Sequence, residues 1–395
     1  MNRFLVARSS APVGERVRLV ANLEAELEWC LESNGHAAPP RGLRRPSPEI
    51  LDFYGAAMAI LGQAGDEIWL PGGGRDLIFG PAFESLDIQV VSGYRPAAKA
   101  TATLSWAQTL AATRLSGASL GEEDRERLAA IRKLSARDAI ELGDLETSLA
   151  AVETLLELRS GLVALCEQNP AQSWVAKARW SGAGRLRQRG RGQDLGEADK
   201  LRLHRLLELS GRLILEPWVN VEAEFGAVGE VRKGEVILSS LHKSSTRGGA
   251  APAALQLLGV KAPAAGSRAM TTSEHQLLVR AFDNEGERLR QTGYVGPFGI
   301  DAWRWRSSDG GLHFRAPAER NLRWTMGHLA AAWVARFESS ELFQGPSALR
   351  ARERPVFCLG GPAEEGDLVV VRRAQGDATL RISWSFTSDN MNPDD

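Results

Sequence analysis

Between residues 17 and 114 the chain alternates short apolar runs with helical patterns, and few folds accommodate that alternation. Val17-Arg-Leu-Val-Ala21 reads as a strand. Ile50 to Leu61 carries helical periodicity behind the start signal Ser47-Pro48-Glu49. Glu67 to Leu70 is a second strand ending in Pro71-Gly-Gly-Gly74, Leu86 to Val91 a third, and Ser105 to Arg114 a further helix. Strands separated by helices pair in parallel, so residues 1–115 are expected to form an α/β domain.

The pattern then changes. Glu122 to Gln168 reads as a charged helical region, with apolar residues near the helix period from Leu145 to Leu156. Trp174 to Lys177 is a short strand running into the Gly- and Arg-rich stretch Ser181 to Gly192. Leu213 to Val219 is another apolar strand, and Glu224–Val231 with Glu235–Leu241 forms a hairpin across Lys233-Gly234. His242 to Gly266, rich in Ser, Gly, Ala and Pro, is expected to be a mobile loop or lid. Thr271 to Gln291 and Thr325 to Phe337 read as helices, Phe298 to Trp305 and Leu312 to Ala318 as strands joined by a polar turn. Two strand-like runs, Asp367–Arg372 and Ala378–Phe386, precede an acidic tail expected to be disordered. There is no internal repeat.

A chain of 395 residues has room for two or three domains with real cores. The formal net charge of −1 provides no global attraction to nucleic acid or anionic membrane. Cys30, Cys166 and Cys358 lie too far apart for a metal-ligand spacing or an evident disulfide framework. The first ten residues hold too short an apolar stretch for a signal peptide, and no window reaches the ~20 apolar residues needed to span a bilayer. A cytoplasmic protein with reduced thiols is the expectation.

The chemistry concentrates in two stretches. In Gly299-Ile-Asp-Ala-Trp-Arg-Trp305 and Ala318-Glu-Arg-Asn-Leu-Arg323, strand alternation projects Glu319 and Asn321 to one face, and an antiparallel partner can set Asp301 beside them. Two carboxylates and an amide oxygen are hard ligands that suit Mg²⁺ carrying nucleotide phosphates. The plainer alternative is that Asp301 caps a turn while Glu319 pairs with a neighbouring arginine. Upstream, Trp174-Val-Ala-Lys177 places a lysine at a strand end, within reach of phosphates as a point charge. The following Ser181-Gly-Ala-Gly184 can wrap phosphate oxygens with successive amides. Ile214-Leu-Glu-Pro-Trp-Val-Asn220 is a proline-interrupted strand offering Glu216 and backbone groups to an adenine edge.

From about Ala136 to Phe343 these motifs, in this order, make the chain resemble the ATP-grasp superfamily, which includes D-alanine–D-alanine ligase and biotin carboxylase. The resemblance implies an ATP-grasp fold over residues 116–345, preceded by a Rossmann-like α/β domain at 1–115 and followed by a strand-containing extension at 346–395. It implies that Lys177 holds ATP phosphates, and that Ser181, Gly182, Gly184 and Arg185 form the loop closing over them. Glu216 matches the adenine-side glutamate, Trp218 and Val219 the base pocket, and Glu224 the acidic residue on the ribose hydroxyls. Asp301, Glu319 and Asn321 match the magnesium ligands, and Arg323 an arginine beside the transferred phosphate. Many members carry a second lysine early in this region; here the nearest counterpart is Arg137. The common Asn-Pro-Arg is Asn-Leu-Arg, and the loop after Lys177 is more arginine-rich than usual. The implied activity is an ATP-dependent ligase that converts a carboxylate to an acyl phosphate and passes the acyl group to an amine or thiol. Its cofactors would be ATP and Mg²⁺, its partners small carboxylates and amines. A nucleotide-binding protein without ligation and a small-molecule kinase are the alternatives.

Other features have competing explanations. Arg185 to Arg191 beside Trp180 resembles an RNA-binding patch, but a single short patch on a chain with no net positive charge fits a phosphate-covering or solvated loop better. Pro71 to Arg75 is either an anion cradle or a plain turn. Trp303 and Trp305 alternate on one strand as core or pocket wall. His242 receives no role beyond contact with the expected lid, and His313 and His328 receive none.

Overall fold

A computed structural model describes residues 15–41, 43, 45–92, 102–115, 120–137, 150–167, 169, 172–182, 185–246, 252–261, 269–307, 309–337, 356–364 and 367–383. The N-terminal part contains β1 (Val17–Val20), α1 (Ala25–Ser33), α2 (Pro48–Gly55) continuing as a 3-10 turn to Leu61, β2 (Glu67–Trp69), β3 (Leu77–Phe79), α3 (Pro81–Glu84), β4 (Gln89–Val91), β5 (Ala102–Ser105), α4 (Leu110–Leu115) and α5 (Glu122–Leu134). Strands β4-β2-β1-β5 pair in parallel, as the alternation of strands and helices requires. All four residues of β1 and of β5 are buried, as strands of a covered parallel sheet must be. The expected helix from Ser105 starts only at Leu110, because Ala102–Ser105 is taken by β1 as its parallel partner.

The second unit holds β6 (Ala150–Val152), α6 (Leu155–Cys166), β7 (Ser173–Ala178), β8 (Arg187–Arg191), α7 (Glu197–Ser210) and β9 (Leu213–Pro217), with strand order β6-β9-β7-β8. Two expectations fail here. The region read as helical from Glu122 is two helices separated by β6, whose Ala150 to Val152 pairs with Leu215 to Leu213; that pairing overrides the local helical period. The Arg-rich stretch after Lys177 includes a strand, with Lys177 opposite Arg187 in register. Gly190 is required in β8 because the Trp174 ring lies where any Cβ would sit, at 2.1 Å. Helix α7 had no counterpart in the sequence reading.

The third sheet begins with β10 (Asn220–Arg232), β11 (Glu235–Thr246) and β12 (Pro252–Leu257), continues after α8 (Thr272–Gln291) with β13 (Gly296–Arg306) and β14 (Leu312–Asn321), and after α9 (Met326–Phe337) with β15 (Val356–Leu359), β16 (Leu368–Arg373) and β17 (Thr379–Ser383). Its order is β14-β13-β10-β11-β12-β15-β17-β16-β3 among the described residues. The hairpin turns at Lys233-Gly234, both with positive φ, as expected. The expected lid from His242 is a strand at both ends: β11 runs on to Thr246, and β12 pairs with β11 and β15. Small residues there signalled a loop, yet Ala254 and Leu255 are buried between two strands. Residues 247–251 and 262–268, and the C-terminal tail, lie outside the described residues. The strands of 346–395 and β3 of the N-terminal part both belong to this third sheet. Helix α8 begins at a Thr271/Glu274 capping box and packs on β10, β11, β13 and β14, while α9 packs on β10, β11, β12 and β15. Among the described residues no helix is long and apolar enough to cross a membrane.

Candidate functional site

The β7–β9 sheet and the β10–β13–β14 part of the third sheet face one cavity of about 880 Å³. Lys177 is the one charged side chain of β7, flanked by buried Ala176 and Ala178 and itself 6% exposed. Strand β9 sets Glu216 opposite Val175, on the same face as Lys177, and their side chains are in contact. Arg315 of β14 reaches the other oxygen of Glu216 at 3.5 Å. The Lys177 ammonium also lies 5.0 Å from the centre of the Trp303 ring. Glu216, expected at the adenine edge, is thus the counter-ion of two buried cations. Burial and then Arg137 push the Lys177 pKa well down; Glu319 opposes this, and Arg315 and Arg187 add to it. Burial and Arg137 likewise depress Arg315 to about 10. This corner has an excess of desolvated positive charge, the condition that favours an anion.

The acidic side is built by strand register. His242, Gly226, Asp301 and Glu319 occupy one row across β11, β10, β13 and β14. The next row holds Ser244, Glu224, Trp303 and Arg315. Period-two alternation puts both rows on the cavity face. Asn321 follows Glu319 by two residues and its Nδ2 donates to Asp301 Oδ2 at 3.1 Å. Burial, then Glu319, raises the Asp301 carboxyl to about 7, against a partial lowering by Asn321 and Arg323, and Glu224 raises it further. Burial and Glu319 also raise Glu224 despite Arg187. These carboxylates repel one another out of water, the condition that favours a cation.

Between the two sides, Arg137 donates from Nε to Ser181 Oγ at 2.9 Å, and from Nη2 to the Ser181 carbonyl at 2.8 Å and to Glu319 Oε1 at 2.6 Å. The plainer alternative for Glu319, a neighbouring arginine, is therefore realised. Arg185 donates to the Leu23 carbonyl at 2.9 Å. Gly182 is packed so closely that a Cβ would meet Glu26 Oε1 at 2.6 Å and Arg323 Nη2 at 3.1 Å. Arg323 itself is held by Glu26 of α1 at 2.6 Å. Trp218 and Val219 line the cavity, and the Arg189 guanidinium lies 3.7 Å from the Trp218 ring centre. Of the residues to which the resemblance gives a role, Gly184 lies outside the described residues; the others all line the cavity.

Several contributors had no individual role in the sequence analysis. Arg187, expected only within a phosphate-covering or solvated loop, lies on β8 and faces Glu319 and Glu224 electrostatically. Arg315 stands directly opposite Trp303 in register, on a strand already identified. Glu26 had no local signal, being far from Arg323 in sequence. His242 lines the cavity with its ring pressed between Gly226 and Gly327, where a Cβ on either would lie 2.4 Å from Cε1. The proposed cradle at Pro71–Arg75 is satisfied internally: the Gly72 and Gly74 amides donate to Asp52 at 2.8 and 2.7 Å.

Among the described residues no three His, Cys, Asp or Glu side chains form a complete metal cluster. Asp301 and Glu319 with the Asn321 amide oxygen supply part of a hard oxygen set, although Asp301 accepts from Asn321 and Glu319 from Arg137. The residues fit a Mg²⁺ that takes its remaining ligands from phosphate and water.

No protein-family model and no curated protein matches the chain. Solved structures of similar shape include biotin carboxylase from Campylobacter jejuni in a β-γ-ATP complex, at 9% identity and TM-score 0.46, covering 93% of this chain and 86% of that one. N5-carboxyaminoimidazole synthetase from Staphylococcus aureus matches at 10% identity and TM-score 0.45, over 98% of this chain and 96% of that one. D-alanyl-alanine synthetase A from Vibrio cholerae matches at 11% identity and TM-score 0.33, over 49% and 56% respectively.

Proposed function

We propose that the chain binds Mg-ATP between its two antiparallel sheets and uses it to activate a carboxylate for transfer to an amine or thiol. The observation that carries this reading is one cavity with raised carboxylates on the third-sheet wall, Asp301 and Glu224 beside Glu319, and desolvated cations on the facing β7–β8 strands, Lys177 and Arg187, joined by Arg315 from β14. Such a division suits a ligand that is itself an anion carrying a cation. The order of the motifs, resembling that of ATP-grasp proteins, supports the same ligand.

In this reading Lys177, Arg137 and Arg187 hold the phosphates, Trp218 and Val219 wall the base, and Glu224 takes the ribose hydroxyls. Asp301, Glu319 and Asn321 hold Mg²⁺, which when bound neutralises charge on the phosphate oxygens. A substrate carboxylate oxygen attacks the γ-phosphorus, the bond to the β,γ-bridging oxygen breaks, and ADP departs. The amine nitrogen then attacks the acyl carbon, inorganic phosphate leaves, and the amine proton passes to solvent. Phosphoryl transfer asks for positioning and charge neutralisation more than for a protein nucleophile, and the cavity supplies both.

One observation favours a second reading, a nucleotide-binding protein without ligation: Arg323 is already paired with Glu26. Incubation with Mg-ATP, pooled carboxylates and amine acceptors, following ADP and phosphate, separates the two. The ligase releases ADP only when a suitable carboxylate is present, and Glu319→Ala abolishes that release. Tight nucleotide binding without carboxylate-dependent release across broad pools would establish the binder instead.

A further inference from the structure

The cavity changes character along its length. Where β7 faces β13 and β14 it is lined by charge. At the other end its wall is made by α2, β12 and β15, and none of the side chains these elements contribute is charged. Ile50, Leu51 and Tyr54 descend from α2, and Leu255 and Leu359 rise from the third sheet. Ile50 remains 42% exposed although it lines a cavity, an apolar side chain left without a cover.

His242 marks the junction between the two ends. It shares a ladder row with Asp301 and Glu319 but stands two strands away from Asp301, roughly 10 Å at the usual strand spacing. The ring is 6% exposed, and its Nδ1 is buried without a hydrogen-bond partner. The neighbouring His328 is satisfied, by contrast: Nδ1 accepts from the Thr325 amide at 3.1 Å, and Nε2 lies 2.9 Å from the Gly229 carbonyl.

We infer that the carboxylate substrate of this site is a monocarboxylic acid with an aliphatic or aromatic body, seated against Ile50, Leu51, Tyr54, Leu255 and Leu359. The inference rests on the Mg-ATP reading, which puts the γ-phosphate, and so the carboxylate that attacks it, near the Asp301 end of the cavity. From there the rest of the molecule extends over His242 into the uncharged end. A second charge on that body would lose its hydration against these uncharged side chains, with Lys243 of the adjoining β11 as a cation lining the same cavity, whereas apolar surface gains by leaving water. Ile50 is the covering contact.

Calorimetric titration of acids into the full chain, saturated with Mg²⁺ and adenylyl-imidodiphosphate, tests this. Hexanoate and phenylacetate are compared with acetate, succinate and glutamate, in the unaltered chain and in Ile50→Glu and Ile50→Leu. The expected result is that the two apolar acids bind at least tenfold more tightly than the others. Ile50→Glu should remove that preference and Ile50→Leu keep it. Equal or tighter binding of succinate or glutamate, an unchanged preference in Ile50→Glu, or no acid binding to the nucleotide-loaded chain would overturn the assignment. Failure of the nucleotide itself to bind, measured first in the same samples, would instead overturn the Mg-ATP reading, and the acid assignment with it.

Discussion

Glu26 on α1 and Arg323, the residue that closes the β14 motif, meet at 2.6 Å across 297 positions of sequence. Both side chains are largely buried, and the pair joins the N-terminal part to the end of β14 at the cavity. Burial alone would raise the Glu26 pKa, but Arg323 and Arg185 overcome it and hold the carboxyl below its usual value. Removing one partner strands the other charge away from water, so Glu26→Ala should cost ~3 kcal/mol in denaturant unfolding. A double-mutant cycle with Arg323→Ala should return a coupling of at least ~1.5 kcal/mol. Additive losses would show that the two residues do not act as a pair.

The ring of His242 fills the space left by two missing side chains. Gly226→Ala or Gly327→Ala would drive a methyl to 2.4 Å from Cε1, and each is expected to destabilise by ~1–3 kcal/mol through overpacking. Adding His242→Ala to Gly226→Ala should recover most of that loss. If the double variant is less stable than Gly226→Ala by the full cost of His242→Ala, the contact is not the cause.

Acid should weaken the fold through the same histidine. Burial, then the neighbouring His328, depresses the His242 pKa to about 4 from 6.5. The unfolded chain therefore takes up this proton first on acidification. The stability it confers is complete above pH ~6.5 and is lost as the pH falls toward 4, by up to ~3 kcal/mol. Glu28, raised to about 7 by burial, acts with the opposite sign, losing its contribution as the pH rises through 7. The difference between the unaltered chain and His242→Gln isolates the histidine. That difference should shrink between pH 6.5 and 4; a constant difference would contradict the neutral buried ring.

Arg187 tests a contributor that the sequence placed only within an arginine-rich loop. It stands opposite Lys177 in register, and its pKa is lowered by burial and Arg189 and raised by Glu319 and Glu224. Arg187→Ala should weaken Mg-ATP about tenfold, the loss of one charge-assisted contact of ~1.5 kcal/mol. Unchanged affinity, read by quenching of tryptophan fluorescence, would place Arg187 outside the phosphate site.

How much of this was legible in sequence depended on whether the cause was local. The parallel N-terminal sheet followed from apolar runs spaced by helices, and the hairpin from Lys233-Gly234. Asp301, Glu319 and Asn321 were legible because alternation on adjacent strands is a property of short segments. Strand β12 was hidden, since Ala254 and Leu255 become strand residues only between β11 and β15. The same holds for β6, whose pairing with β9 replaces a helical period. The Glu26–Arg323 pair and the Glu216 contacts with Lys177 and Arg315 are products of assembly; no spacing in the chain announces them.

The most direct test of the central claim is calorimetric titration of adenylyl-imidodiphosphate, with and without Mg²⁺, into the unaltered chain and Glu319→Gln. One saturable site that requires Mg²⁺ and weakens at least tenfold in Glu319→Gln is the expected result. Absence of saturable binding, or binding indifferent both to Mg²⁺ and to Glu319, would contradict a Mg-nucleotide site between the two sheets.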